Sequence, residues 1–130
     1  MHGTKNRALV IGNLTNDPVL RATREGRAVA NFTVATDETR KRRDGEGYET
    51  FAEYHQCVVW GAQAERVGKR LRKGNLVSVS GPLRTRTKKT ETTTYYNTAV
   101  EVDDWDLLHR PARAGAQPSE TPSAASSDPA

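Results

Sequence analysis

Residues 52–60 read AEYHQCVVW, a run in which bulky or polar side chains alternate with small apolar ones. Successive side chains of a β-strand point to opposite sides of the sheet. One predicted face therefore carries Tyr54, Gln56, Val58 and Trp60. The other face carries His55, Cys57 and Val59. We expect Cys57 and Val59 to face the core, because Gln56 would be a poor core residue, while Tyr54 and Trp60 stay accessible.

Short runs of the same period lie on both sides of this strand, separated by Gly, Asp and Asn. Their alternation is typical of strands joined by turns. The runs are centred on residues 9–11, 30–34, 77–80 and 96–102. The turn at Asn16, Asp17 and Pro18 predicts a bend before Val19 and Leu20, and residues 40–47 predict an exposed loop. The body of the chain is therefore expected to be mostly β.

Residues 62–71 change from strand to helical spacing. Ala64, Val67 and Leu71 recur on one side, and Gly74 follows as a stop signal. The order is then three strands, a helix and two strands, which matches a five-stranded barrel of the oligonucleotide-binding type. We assign this all-β domain to residues 1–110, and Trp105 is expected just past its last strand.

Composition favours a soluble, basic protein. The chain of 130 residues carries a formal net charge of +4, and no apolar run reaches the ~20 residues of a membrane span. With no secretory signal and a single cysteine, Cys57, a reducing cytoplasm is expected. A basic surface attracts polyanions, so nucleic acid is the first partner to consider.

Residues 111–130 differ in composition from the rest. They hold four Pro, six Ala and four Ser, with no large apolar side chain. Such a segment cannot bury enough apolar surface to offset the entropy of ordering. We expect a disordered tail.

Two basic segments, residues 40–43 and 84–89, are placed on separate hairpins that flank the aromatic strand. Tyr54 and Trp60 are six residues apart, roughly 20 Å along a strand. Unpaired bases stack on such side chains while cations follow the backbone, and an Arg guanidinium can do both. This combination predicts binding of single-stranded DNA without sequence preference.

Five segments together resemble bacterial single-stranded DNA-binding proteins. They are residues 9–14 with Asp17-Pro18, residues 28–36, 53–61, 71–74 and 81–86. In order and spacing they are similar to that family over roughly residues 5–105. The resemblance implies a homotetramer that wraps DNA, is associated with the nucleoid, and serves replication, recombination and repair.

The resemblance also implies roles for particular residues. The family's stacking positions fall on Tyr54 and Trp60, with Gln56 between them, and two further positions that often hold Trp fall on Arg40 and Lys88. Backbone contacts are implied at Arg72, Lys73, Arg84 and Arg86. His55 matches a position of subunit contact. The ending Asp128-Pro129-Ala130 departs from the family's acidic tip with a terminal Phe, which suggests a specialised paralogue and argues against partners that need that tip.

Other functional classes have weaker support. Asp103, Asp104 and Asp106, with Glu101, could be a divalent-metal site of a nuclease, but a strand end leaving the sheet explains them equally well. His2, His55, His109 and Cys57 lack zinc-ligand spacing. We expect no catalysis, no metal and no cofactor. An RNA-binding or primosome-type adaptor on the same barrel remains the alternative.

Overall fold

The computed structural model describes residues 3–111, which form eight β-strands and one α-helix. In chain order these are β1 (Ala8–Leu14), β2 (Val19–Ala22), β3 (Ala28–Lys41), β4 (Tyr48–Trp60), α1 (Ala62–Arg70), β5 (Leu76–Gly81), β6 (Leu83–Lys89), β7 (Thr94–Glu101) and β8 (Asp104–His109). No helix among these residues is long and apolar enough to cross a membrane. The predicted disordered tail lies almost wholly outside the described residues.

The strands form one sheet in the order β6-β7-β4-β3-β1-β5-β8, and β2 pairs with the first part of β3. The pairs are antiparallel except β4 and β7, which are parallel and meet at Cys57 with Val100 and at Val58 with Glu101. The sheet closes into a barrel because β5 leads through Pro82 directly into β6, which pairs with β7. The Glu101 amide donates to the Pro82 carbonyl at 2.8 Å across this closure.

The core consists of the inward side chains of the strands and one side of α1. Its largest fully buried members are Phe32, Leu71, Val34, Val59, Val67, Val77, Val79 and Cys57. Ala64, Val67 and Leu71 are all buried, so the predicted helical face is confirmed, although the helix itself ends at Arg70. Helix α1 lies between β4 and β5, as the order of elements predicts.

Two glycines allow strands to approach closely. A Cβ on Gly12 would collide with the carbonyl oxygen of Ala35, and one on Gly81 would collide with that of Glu101. Gly12 lies on β1 beside β3, and Gly81 ends β5 beside the last residue of β7. Glycine there reflects contact between backbones rather than an unusual φ angle.

The described residues form eight strands where five were expected, a difference that is compatible with the predicted barrel. Residues 104–109 form β8, which pairs with β5, although their aspartates predict a segment that leaves the sheet. The reason is period-2 patterning, since Trp105 and Leu107 pack against the core and alternate with exposed Asp104 and Asp106. The basic segment 84–89 is likewise a full strand, and β2 follows the predicted bend.

The loop expected at residues 40–47 is shorter than predicted. Strand β3 continues to Lys41, which pairs with Tyr48 at the start of β4. The turn between them contains Gly45 and Gly47, with φ angles of 82° and 85° that only glycine adopts easily. A long two-stranded arm therefore projects from the barrel where a loop was expected.

Candidate nucleic-acid interface

Strand β4 presents its aromatic face outward. Tyr54 is 64% exposed, Gln56 is exposed and Trp60 is half-buried, whereas Cys57 and Val59 are 1% and 0% exposed. The predicted division of this strand into an accessible face and a core face is thus confirmed. Burial also raises the pKa of the Cys57 thiol to about 12, which keeps it protonated.

Two arginines lie against the Trp60 ring. The Cζ atom of Arg27 is 4.8 Å from the ring centroid and that of Arg86 is 5.8 Å away. Both distances are within the range of cation–π attraction. Arg27 precedes β3, whose Val29 pairs with Trp60, and Arg86 belongs to β6. The indole is therefore an aromatic platform partly covered by cations.

A shallow groove of about 130 Å³ adjoins this platform. It is lined by Asn31, Val58, Arg84, Arg86, Asn97, Ala99 and Glu101. The Arg84 Nε atom lies 3.7 Å from the Glu101 carboxylate, so one of the two cations has an acidic neighbour. The groove offers guanidinium and amide groups on a small apolar floor, which suits a sugar–phosphate backbone.

The groove lies where two hairpin arms separate. Within the described residues β4 and β7 pair at only two positions, beyond which the β3/β4 and β6/β7 arms extend independently. On the β6/β7 arm, Arg84, Arg86 and Lys88 alternate onto one face. Of these predicted contacts, Arg84 and Arg86 line the groove and Arg86 reaches Trp60, while Lys88 follows them further along the same face.

Arg40 is not brought together with them. It pairs with Glu49, and strict alternation along β3 and β4 places both on the side of the arm opposite to Tyr54. Its Cζ atom is 4.4 Å from the Phe51 ring centroid, and its Nε atom is 3.4 Å from Glu38. Arg40 therefore already has two partners on the far face.

Arg72 and Lys73 lie apart from the groove, in the turn that follows α1. The Arg72 guanidinium donates to the Gly68 and Leu71 carbonyls, both at 2.7 Å, and so caps the end of the helix. The Lys73 amide donates to Asp17 at 2.8 Å, beside the β1–β2 turn. Both side chains are exposed, at a different part of the surface from β6.

His55 is half-buried on the inward side of β4, where its Nε2 atom is 2.9 Å from the Thr36 hydroxyl. Thr36 pairs with Glu53, two residues further out along the arm than His55. A role in subunit contact stays a prediction.

The acidic residues of the suggested metal site are divided between other partners. Asp103 accepts two hydrogen bonds from Arg7, at 2.9 and 3.1 Å, and Arg7 thereby holds the pKa of that carboxyl below its ordinary value. Glu101 faces Arg84. Across residues 3–111 no three His, Cys, Asp or Glu side chains gather in a way that could hold a metal ion.

Sequence reasoning missed four residues of this surface, namely Arg27, Asn31, Tyr95 and Asn97. The available signal for Arg27 and Asn31 was the period of β3, since both are odd-numbered and Ala30, Phe32 and Val34 face inward. Tyr95 and Asn97 depend on the register of β7, which the sequence did not reveal.

The model of the single-strand binding protein family matches residues 5–108. The chain belongs to this family. Two of its relatives are named single-stranded DNA-binding proteins, from Halalkalibacterium halodurans and Lactiplantibacillus plantarum. The first is 46% identical over 81 residues, which cover 62% of this chain and 46% of the relative. The second is 36% identical over 110 residues, which cover 84% of this chain and 54% of the relative.

A solved structure described as a Plasmodium falciparum SSB complex with ssDNA has the same fold. The TM-score is 0.76 at 26% identity, over 84% of this chain and 99% of the other. The family membership and this similarity confirm the predicted oligonucleotide-binding barrel. The chain spans about half the length of its bacterial relatives in the family.

Proposed function

We propose that this protein binds single-stranded DNA without sequence preference and acts by binding rather than by catalysis. The observation that carries the proposal is the aromatic platform of Trp60 beside the arginine-lined groove, with exposed Tyr54 on the same strand face. Membership of the family and the relatives' names support it.

The site has the two kinds of group that an unpaired strand requires. Stacking on an aromatic side chain contributes roughly 1–3 kcal/mol per base and tolerates any base, since every base has a π-face. Arg84, Arg86 and Lys88 can follow the phosphates along the β6/β7 arm, and Gln56 presents an amide beside Tyr54. Little in this set reads base edges, so binding is expected to be independent of sequence.

We extend the proposed contact surface to a second patch, formed by Arg72 and Lys73. Single-stranded DNA that wraps around the barrel would reach this patch. Their exposed cations lie on a separate turn, so they would contact nucleotides distant from those at Trp60. Arg40 stays a predicted contact from the family resemblance, and its position on the far face of the arm makes it the natural comparison for Arg86.

We further propose a homotetramer in which β1 contributes to subunit contact. Within the described chain, β1 pairs with β3 only at Asn13 and Leu14, so residues 8–12 leave one edge open. Leu9 and Ile11 on this stretch are 68% and 52% exposed. An open edge with apolar side chains favours association with another copy. His55 is proposed at a second contact.

The proposed setting is DNA replication, recombination and repair in the bacterial cytoplasm, at the nucleoid. These roles are inferred from the family and require protection of transiently unpaired DNA rather than chemistry on it.

The decisive experiment is a titration of the full chain with dT and rU oligonucleotides of equal length and with a DNA duplex. We expect dT to bind much more tightly than the duplex and more tightly than rU. Equal or tighter binding of rU would favour an RNA-binding module, and no binding of dT at low salt would refute the proposal. Sedimentation of the free protein tests the tetramer, which a monomer at micromolar concentration would contradict.

A further inference from the structure

Two neighbouring tyrosines on β7, Tyr95 and Tyr96, face opposite sides of the β6/β7 arm. Tyr95 pairs with Lys88 and Tyr96 pairs with Thr87. They are 55% and 73% exposed, so neither is a core residue. Their environments differ because side chains of a strand alternate between faces.

The face of Tyr95 is the face of the groove. Asn97 and Ala99 follow it at two-residue intervals on β7 and line the groove, together with Arg84 and Arg86 on β6. Directly opposite residues of an antiparallel pair have Cβ atoms about 4.5–5.5 Å apart. The side chains of Tyr95 and Lys88 therefore leave the arm next to each other, on the face that carries Arg86 and the groove.

The position of Tyr95 places it on the opposite arm from Tyr54. Tyr95 is six residues from Glu101 at the base of its arm, roughly 20 Å, and Tyr54 is four residues from Val58, roughly 13 Å. The aromatic groups thus stand on both sides of the cationic groove, separated by distances that span several nucleotides.

We propose that Tyr95 is a further base-stacking residue of this site. Tyr95 and Lys88 together contact one nucleotide, in which the ring stacks on the base and the ammonium binds the phosphate. The inference rests on the proposed function and deepens it. It adds an aromatic contact to the outer half of the β6/β7 arm, where the sequence alone predicted only the cationic contact of Lys88.

The first test compares Tyr95→Ala, Tyr95→Phe and Tyr96→Ala in the full chain, each checked for folding and assembly by circular dichroism and mass measurement. Tyr95→Ala should weaken dT binding roughly 5- to 140-fold, which is the loss of one stacked base. Tyr95→Phe should stay within about twofold of wild type. Tyr96→Ala, which removes the more exposed tyrosine of the other face, should leave the affinity of the assembled protein nearly unchanged.

The salt dependence of DNA affinity distinguishes the contribution of the Tyr95 ring from that of the Lys88 ammonium. Tyr95→Ala should lower affinity equally at all salt concentrations, whereas Lys88→Gln should reduce the slope of log affinity against log salt by about 0.7. If wild type binds dT and Tyr95→Ala binds equally well, the inference is wrong while the proposed function stands. Failure of wild type to bind would instead refute the function.

A second variant gives a direct optical signal. In a chain whose Trp60 and Trp105 are replaced by Phe, Tyr95→Trp should show fluorescence that dT quenches, while Tyr96→Trp in the same background should not. Equal quenching of the two tryptophans, or none at position 95 when binding is confirmed by anisotropy of a labelled oligonucleotide, would overturn the assignment.

Discussion

The guanidinium of Arg27 lies 4.8 Å from the centre of the Trp60 indole, so the ring that would receive a base already has a flat cation against it. Arg86 approaches the same ring at 5.8 Å. Stacking of a base on the covered part requires a guanidinium to move aside. The free energy gained is then the difference between a base stack and a cation–π contact, the latter worth about 0.5–1 kcal/mol at exposed sites.

Trp60 should report binding by fluorescence. We expect single-stranded DNA to quench the emission of a Trp105→Phe protein, which retains Trp60, and not that of a Trp60→Phe protein. Trp105 donates to Gln63 at 3.0 Å beside α1, away from the groove, so it is the matched control. Trp60→Ala should weaken binding by the lower part of the roughly 1–3 kcal/mol of a base stack, because part of the cation–π contact with Arg27 or Arg86 is lost on binding, and it should not unfold the barrel. If DNA instead quenches the Trp60→Phe protein, which retains Trp105, the bound DNA would lie across α1.

Binding should depend steeply on salt, and the two faces of the arms should differ. We expect Arg86→Gln to reduce the slope of log affinity against log salt by about 0.7, because one phosphate contact is lost. Arg40→Gln should change the slope less, since Arg40 lies on the far face against Phe51 and Glu38. Isothermal titrations at four salt concentrations measure both. Equal effects would show that DNA also contacts the far face.

The Arg7–Asp103 pair predicts a loss of stability in acid. Arg7 lowers the pKa of Asp103, so the pair stabilises the folded state fully above the unfolded pKa, about 3.9, and loses this as pH falls through the lower folded value. Asp103→Asn should therefore lower the melting temperature at pH 6, with the difference from wild type narrowing toward pH 3. Both side chains are exposed, so the effect is small. A difference that grows in acid would contradict this assignment.

Cys57 should be inert in the native protein. Its thiol is buried and its pKa is raised to about 12, and the thiolate is the reactive form. We expect a disulfide reagent to label it at pH 8 only after denaturant is added. Rapid labelling in buffer would mean that β4 separates from its neighbours. An added cysteine at Thr92, an exposed residue between β6 and β7, gives the rate for an accessible thiol in the same protein.

The strands that carry the core were predictable because their alternation is regular. Phe32 and Val34, then Cys57 and Val59, face inward as the period requires, and α1 follows from the spacing of its buried residues. Strand β8 was not recognised because three aspartates mask its alternation. Trp105 and Leu107 face the core between them, and their pairing with β5 is a long-range property.

The site was only partly predictable because it depends on register. Tyr54 and Trp60 share a strand, so their common face follows from sequence spacing alone. Which of Tyr95 and Tyr96 joins them depends on how β7 pairs with β6, and a shift of one residue exchanges the two. Arg40 was predicted to contact DNA partly because of its charge. The continuous pairing of β3 with β4 instead places it on the face opposite to Tyr54.

Among residues 3–111, strands β4 and β7 pair at only two positions, so the length of the two arms that carry the binding surface can vary independently of the stability of the barrel. Each arm ends in its own turn, beyond the last core residue, and does not pair with the other arm beyond these two positions within the described chain. We therefore expect that residues added to or removed from either hairpin in pairs leave barrel closure unchanged. Natural variation in hairpin length would tune how many nucleotides one subunit covers, at little cost to folding.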